Sequence, residues 1–173
     1  LAIVSAERIR DELDKLLVGE HVEAGLWGLV DSGLAGEFLP ELTALRLQQD
    51  PIHQHKDVLA HTIAVVGRCR PDRILRLAAL FHDVGKPDTR SFGPEGVAFH
   101  HHEVVGARLT RHRLRELRYS KEEIEQVSGL VYLHLRPHTL KMGWTDRAVR
   151  RYVRDAGPLL EPLNLLVRAD GLA

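Results

Sequence analysis

Leu77-Ala78-Ala79-Leu80-Phe81-His82-Asp83-Val84-Gly85-Lys86 decides how this chain is read. An uninterrupted apolar run ends in an imidazole and a carboxylate, and a glycine and a cation follow at once. Asp72 upstream is a helix-capping residue, and Leu75, Leu77, Leu80 and Phe81 follow at helical spacing. The stretch is therefore a helix whose last turn opens onto His82 and Asp83. Neighbouring residues on a regular helix point about 100° apart. Where a helix ends the backbone can open, and both side chains can then face one ion. Most His-Asp pairs are surface hydrogen bonds. This one directly follows an apolar run, which places it near the core, and Gly85-Lys86 adds a flexible turn and a cation beside it.

Helical signals continue in both directions. Pro71 ends a helix over 58–69. Ser5 caps a helix through Ile9, Leu13, Leu16 and Leu17, and an apolar stretch over 22–30 stops near Gly33. Pro40 suits a first helical turn leading into Leu42, Leu45 and Leu47, and Asp50-Pro51 breaks the chain. Downstream, the segment 85–97 holds three Gly and two Pro and reads as a loop or a small hairpin. A helix over 103–117 follows. Ser120 with Glu123 forms a capping box for a helix to about residue 133. Thr145 or Asp146 caps a helix ending at Gly157-Pro158, and a last helix covers about 159–169. Strand-like alternation is nearly absent, so the expected fold is all-α, a helical bundle with a small N-terminal helical segment over 1–50.

Composition narrows the chemistry. Hydrophobic residues make up 44% of the 173 residues, enough for a core. Lys plus Arg equal Asp plus Glu at 24 each, so overall charge selects no partner, although a local basic patch remains open. Histidine is in surplus at 11, and each buried ring needs partners, which points toward metal or acid–base chemistry. The single cysteine, Cys69, excludes an internal disulfide framework and a zinc ribbon and fits a reducing, cytoplasmic setting. No apolar run approaches the roughly 18 residues of a membrane-spanning helix, and no signal peptide is evident. The chain opens at Leu1 and its one methionine is Met142, so it reads as a piece of a longer protein.

Imidazole and carboxylate together suit divalent metals, and a carboxylate can bridge two ions where an imidazole cannot. His61 lies one helix before His82-Asp83 and Asp170 near the end of the sequence; an antiparallel bundle can bring all four together. His102 and His134, in later helices, can hold a second ion. Lys86 can hold a phosphate oxygen, or be an exposed charge in a loop. His21, His112 and His138 read as surface or satisfied polar residues. His53, His55 and His101 stay open between the two readings.

The order His61, His82-Asp83 with Gly85-Lys86, then Asp170 resembles the HD superfamily of metal-dependent phosphohydrolases. A wider set is similar to the C-terminal part of bacterial tRNA nucleotidyltransferases, the CCA-adding enzymes, especially the actinobacterial form often labelled poly(A) polymerase. It comprises Val4-Ser5-Ala6-Glu7-Arg8-Ile9, His55-Lys56-Asp57-Val58 with His61-Thr62, and the segments 77–86, 99–106 and 144–158. Leu172-Ala173 replace the polar continuation of that family after its Asp, and 137–142 also departs from its pattern. The resemblance implies an HD domain over 51–173 behind a body or neck segment over 1–50. It implies His61, His82, Asp83 and Asp170 as ligands of a first metal, and His102 and His134 as ligands of a second. Asp83 would bridge the ions, and His100 would lie near the site. The ions would lower the pKa of coordinated water toward neutrality, and Lys86 would help neutralise the phosphoryl oxygens. Manganese, nickel, magnesium, zinc and iron all suit such a donor set. The implied activity is phosphodiesterase and phosphatase action, including on 2′,3′-cyclic phosphates. The nucleotide-adding head of the family precedes the matched region, so nucleotidyl transfer is not expected of this chain alone.

Arg147, Arg150, Arg151 and Arg154 cover about 100° of one helix face, with Val149, Tyr152 and Val153 expected opposite. Forked guanidinium groups suit phosphates, so the row is a candidate RNA-backbone contact; a solvated face paired with acids is the other reading. The leading expectation is a hydrolase of nucleotide or RNA-end phosphoesters. The alternative is a non-catalytic tRNA-docking module, and a third is a regulatory domain that binds a nucleotide without turnover.

Overall fold

A computed structural model describes residues 3–47, 57–140 and 143–173. The Asp50-Pro51 break, His53 and His55 lie outside the described residues. Helix α1 (Ala6–Leu17) starts where Ser5 accepts a hydrogen bond from the Arg8 amide. Helix α2 (Val22–Asp31) gives way to Gly33, whose φ of 78° lets the chain reverse into α3 (Leu34–Phe38). Pro40 opens α4 (Pro40–Thr43) as its first residue. Helices α5 (Val58–Arg68) and α6 (Arg73–Phe81) follow, the second capped by Asp72 through the Leu75 amide. A turn over 82–85 leads to α7 (Lys86–Thr89) and an antiparallel hairpin of β1 (Arg90–Gly93) and β2 (Gly96–Phe99). Helices α8 (His102–Glu116) and α9 (Lys121–Leu133) form the next pair, with the Ser120–Glu123 capping box made in both directions. Then come α10 (Arg136–Leu140), α11 (Asp146–Ala156), capped by Thr145, and α12 (Leu160–Leu172).

The fold is all-α apart from the one small hairpin among the described residues. Segment 85–97 is that hairpin together with the one-turn helix α7. Helix α12 runs to Leu172 rather than stopping near 169, and the short helices α3 and α10 are not among the expected elements. Pro137 occupies the first turn, where its missing N–H has no helical partner to lose.

Helix α6 lies at the centre. Leu75 through Phe81 are buried on every side, and α1, α5, α9 and α12 surround it. One hydrophobic cluster runs from Leu13 through Leu77, Leu80 and Leu130 to Leu166 and Ala169. The N-terminal helices thus share a core with the rest. Among the described residues, no helix is long and apolar enough to cross a membrane.

Arg76 is the polar exception in α6. Its Nε and Nη2 donate to the Cys69 carbonyl at 3.0 and 2.9 Å, and its Nη1 donates to the Leu17 and Gly19 carbonyls at 2.5 and 3.1 Å. One guanidinium thereby satisfies the carbonyl ends of α1 and α5, where helix dipoles favour a cation. Arg76→Met keeps the volume and loses every donor. It should cost on the order of 3 kcal/mol, because buried carbonyls are left unpaired; a urea midpoint equal to that of the parent would contradict the staple.

Candidate metal centre

The apolar run does what its composition demands: His82 and Asp83 follow it into the interior, 1% and 2% exposed. His82 caps α6, His134 caps α9, and His102 is the first residue of α8. His61 projects from α5 and Asp170 from α12. Three of these rings are held in the same way. Nδ1 of His82 donates to the Ala79 carbonyl at 2.6 Å, that of His102 to the Phe99 carbonyl at 3.0 Å, and that of His134 to the Val131 carbonyl at 2.5 Å. A carbonyl can only accept, so each bond puts a proton on Nδ1 and aims Nε2 at the centre.

Asp83 lies between two sets of donors. Its Oδ2 is 3.3 Å from His82 Nε2, and its Oδ1 is 3.3 Å from His102 Nε2 and 4.0 Å from His134 Nε2. Asp170 Oδ1 is 2.8 Å from His61 Nε2 and 3.7 Å from His82 Nε2. The groups His61–His82–Asp83 and Asp83–His102–His134 each have donor atoms within 4.8 Å of one another. All six residues expected as ligands are therefore brought together.

The donor set fits a divalent ion. His102 and His134 bring their Nε2 atoms to 3.3 Å, although the Nδ1 of each already carries the ring proton. Two neutral rings would oppose lone pairs there, so the contact calls for a cation between them. His82 Nε2 is buried and makes no hydrogen bond. The carboxylates make this point favourable to positive charge. Burial works against charge on His82, yet the Asp83 and Asp170 carboxylates raise its pKa to about 10. Burial likewise opposes charge on Asp83, but the charges of His82 and Lys86 hold its carboxyl well below the usual range. Asp170 is held low against burial by His61 and His82. Burial first, then the charge of His82, pushes His134 down to about 3, leaving a neutral donor.

Lys86 is not an exposed loop charge. It is buried, its Nζ is 2.8 Å from Asp83 Oδ2, and it lies 5.5 Å from the centre of the Phe99 ring. His100 is exposed and outside the ligand groups, and His101 is exposed in a left-handed conformation at φ 61°. His138 is a satisfied polar residue, as read, and its partner is a ligand candidate: its Nε2 is 3.3 Å from Asp170 Oδ2, so α10 closes one side of the centre. Spacing gave no hint of this, because a one-turn helix carries no periodicity.

Arg147, Arg150, Arg151 and Arg154 are exposed along α11 as expected. Tyr152 is buried and Val149 half-buried behind them, but Val153 is 44% exposed and belongs to the outer face. Asp155 gathers Arg136 at 2.8 Å, Arg154 at 3.6 Å and Arg151 at 3.7 Å. No carboxylate among the described residues pairs with Arg147 or Arg150. The row is thus partly neutralised, with an excess of positive charge over two shallow clefts that its arginines line.

Comparison with known proteins identifies the family. Residues 54–173 match the family described as HD domain, and residues 1–45 match one described as "Probable RNA and SrmB- binding site of polymerase A". A CC-adding tRNA nucleotidyltransferase of Thermus thermophilus is 41% identical over 180 residues, covering 99% of this chain and 40% of that protein. An A-adding tRNA nucleotidyltransferase of Deinococcus radiodurans is 36% identical over 172 residues, 95% of this chain and 38% of that protein. A multifunctional CCA protein of Pasteurella multocida is 31% identical over 123 residues, 64% and 28% of the two chains. The chain is homologous to these proteins over most of its length and spans about two fifths of the first two.

Proposed function

Because the chain belongs to the HD-domain family, we propose that it is a divalent-metal phosphohydrolase acting on phosphoesters at nucleotide or RNA ends, as the HD part of a tRNA nucleotidyltransferase-like protein. In this reading 1–50 is a helical body segment and 51–173 the catalytic domain. The observation that carries it is the convergence of His61, His82 and Asp83, with Asp170 beside them, and of Asp83, His102 and His134, in two groups that share Asp83, with three imidazoles steered by their own backbone.

His61, His82, Asp83 and Asp170 would hold one ion, and Asp83, His102 and His134 a second. A divalent ion supplies Lewis acidity toward phosphoryl oxygens and acidifies water. The chain's own groups do the rest. Asp83 offers one oxygen to each set. His138 and His61 grip opposite oxygens of Asp170 and fix its carboxylate. Lys86 supplies positive charge beside Asp83 that can counter a phosphate. The test is elemental mass spectrometry of protein purified without chelator, followed by hydrolysis of 2′,3′-cyclic AMP. One or two transition-metal ions per chain with chelator-sensitive turnover is the expected result. No bound ion after soaking with manganese, nickel or zinc would defeat the reading.

The exposed arginine row and the match over 1–45 favour a second role, holding tRNA. Replacing Arg147, Arg150, Arg151 and Arg154 together by Ala should weaken tRNA binding about tenfold or more and flatten the salt dependence by about 2 in log–log slope. Arg147 and Arg150 should carry most of the effect, since Asp155 engages the other two. An unchanged slope would remove the row from the interface.

A further inference from the structure

We propose that the face of the β1–β2 hairpin that carries Phe99, Arg90 and Phe92 is a nucleobase platform for the nucleotide attached to the phosphoester. The proposal rests on the hydrolase reading above and adds a binding site to it.

The hairpin is rooted in the metal centre at both ends. It leaves the chain after Lys86, which touches Asp83, and returns at His102, whose Nε2 faces the same carboxylate. Its register pairs Arg90 with Phe99 and Phe92 with Val97. Side chains two apart on a strand, and those directly opposite across a pair, share a face. Phe99, Arg90 and Phe92 therefore form one continuous row. Phe99 lies under the Lys86 ammonium, and the Arg90 guanidinium lies 4.8 Å from the centre of the Phe92 ring. The row starts beside the candidate catalytic groups and ends, about 7 Å further along the strand, at Phe92.

Two features mark that end as a binding surface. Phe92 is 70% exposed, a large apolar surface left to solvent. No carboxylate among the described residues pairs with Arg90, and its Nε is buried without an acceptor. An exposed aromatic ring with an unpaired guanidinium over it is chemically suited to a base with an adjoining phosphate: the ring stacks, the cation takes the charge. Arg90, with no carboxylate partner among the described residues, brings positive charge to the row, which suits a nucleotide and not an apolar peptide.

The experiment uses the metal-loaded protein and three variants, Phe92→Ala, Phe92→Tyr and Phe92→Trp. With 2′,3′-cyclic AMP, Phe92→Ala should raise KM about tenfold and leave kcat near the parent value, while Phe92→Tyr restores KM. With glycerol 1,2-cyclic phosphate, which has no base, Phe92→Ala should behave as the parent. In Phe92→Trp, hexa-adenylate should quench fluorescence beyond the quenching of the parent. A KM for 2′,3′-cyclic AMP in Phe92→Ala equal to that of the parent, or no added quenching in Phe92→Trp, would overturn the platform. If the parent hydrolyses neither probe, the hydrolase reading fails, and the quenching alone still decides whether the hairpin binds a base.

Discussion

Asp83→Ala is expected to empty the centre of metal, from one or two ions per chain to near zero, and to lower hydrolysis of cyclic nucleotides at least a hundredfold. Among the described residues, only Asp83 belongs to both donor sets: one oxygen faces His82, the other His102 and His134. The change also leaves His82 and Lys86 buried without their counter-charge, which costs on the order of 3–5 kcal/mol. A loss of metal could then reflect unfolding. Asp83→Asn separates the two effects, since it keeps shape and hydrogen-bonding capacity while removing the charge. It should retain native circular dichroism and still lose most of its metal. Full metal stoichiometry in a folded Asp83→Asn protein would mean that the charge of Asp83 is not what holds the ions.

Gly85→Ala should be among the most destabilising single changes, although it adds one methyl group. That carbon would lie 2.1 Å from the His102 carbonyl oxygen, 2.7 Å from the Gly106 nitrogen and 3.0 Å from the His102 carbonyl carbon. All three atoms are backbone, so no side chain can swing away and α8 itself must move. Overpacking of this kind costs about 3 kcal/mol, and a chain of this size then loses roughly 6–12 °C in Tm. The displaced residue is His102, so the set Asp83–His102–His134 should lose its ion before His61–His82–Asp83 does. Gly28→Ala is the control: its added carbon meets nothing within 4 Å inside a helix, and the change should be neutral or slightly stabilising. A Gly85→Ala protein melting within a degree of the parent would show that turn and helix do not approach so closely.

The same position shows how the sequence can be read correctly for the wrong reason. A glycine after His-Asp suggests flexibility, yet Gly85 has an ordinary φ of −79°. What it provides is room for α8 to cross the turn. Lys86 is a similar case: its place in a Gly- and Pro-rich stretch suggests exposure, and burial against Asp83 follows only once α7 and the hairpin fold over it.

By itself the sequence determined the longer helices, their caps and the arginine row, because these depend on near-neighbour chemistry. Ser5, Asp72, Ser120 and Thr145 each bond to an amide three residues on. The apolar run 77–81 was enough to place His82 and Asp83 inside, and residue type with order was enough to nominate six ligands. Tertiary structure alone decided what depends on contacts between distant residues. Arg76 looks like any other arginine until three carbonyls from α1, its C-terminal turn and α5 surround it. His138 joins the centre only because α10 meets α12. The row Phe99–Arg90–Phe92 exists only through cross-strand register. Local propensity acts within a few residues along the chain, whereas metal geometry, close backbone approach and a shared strand face arise between residues that only packing brings together.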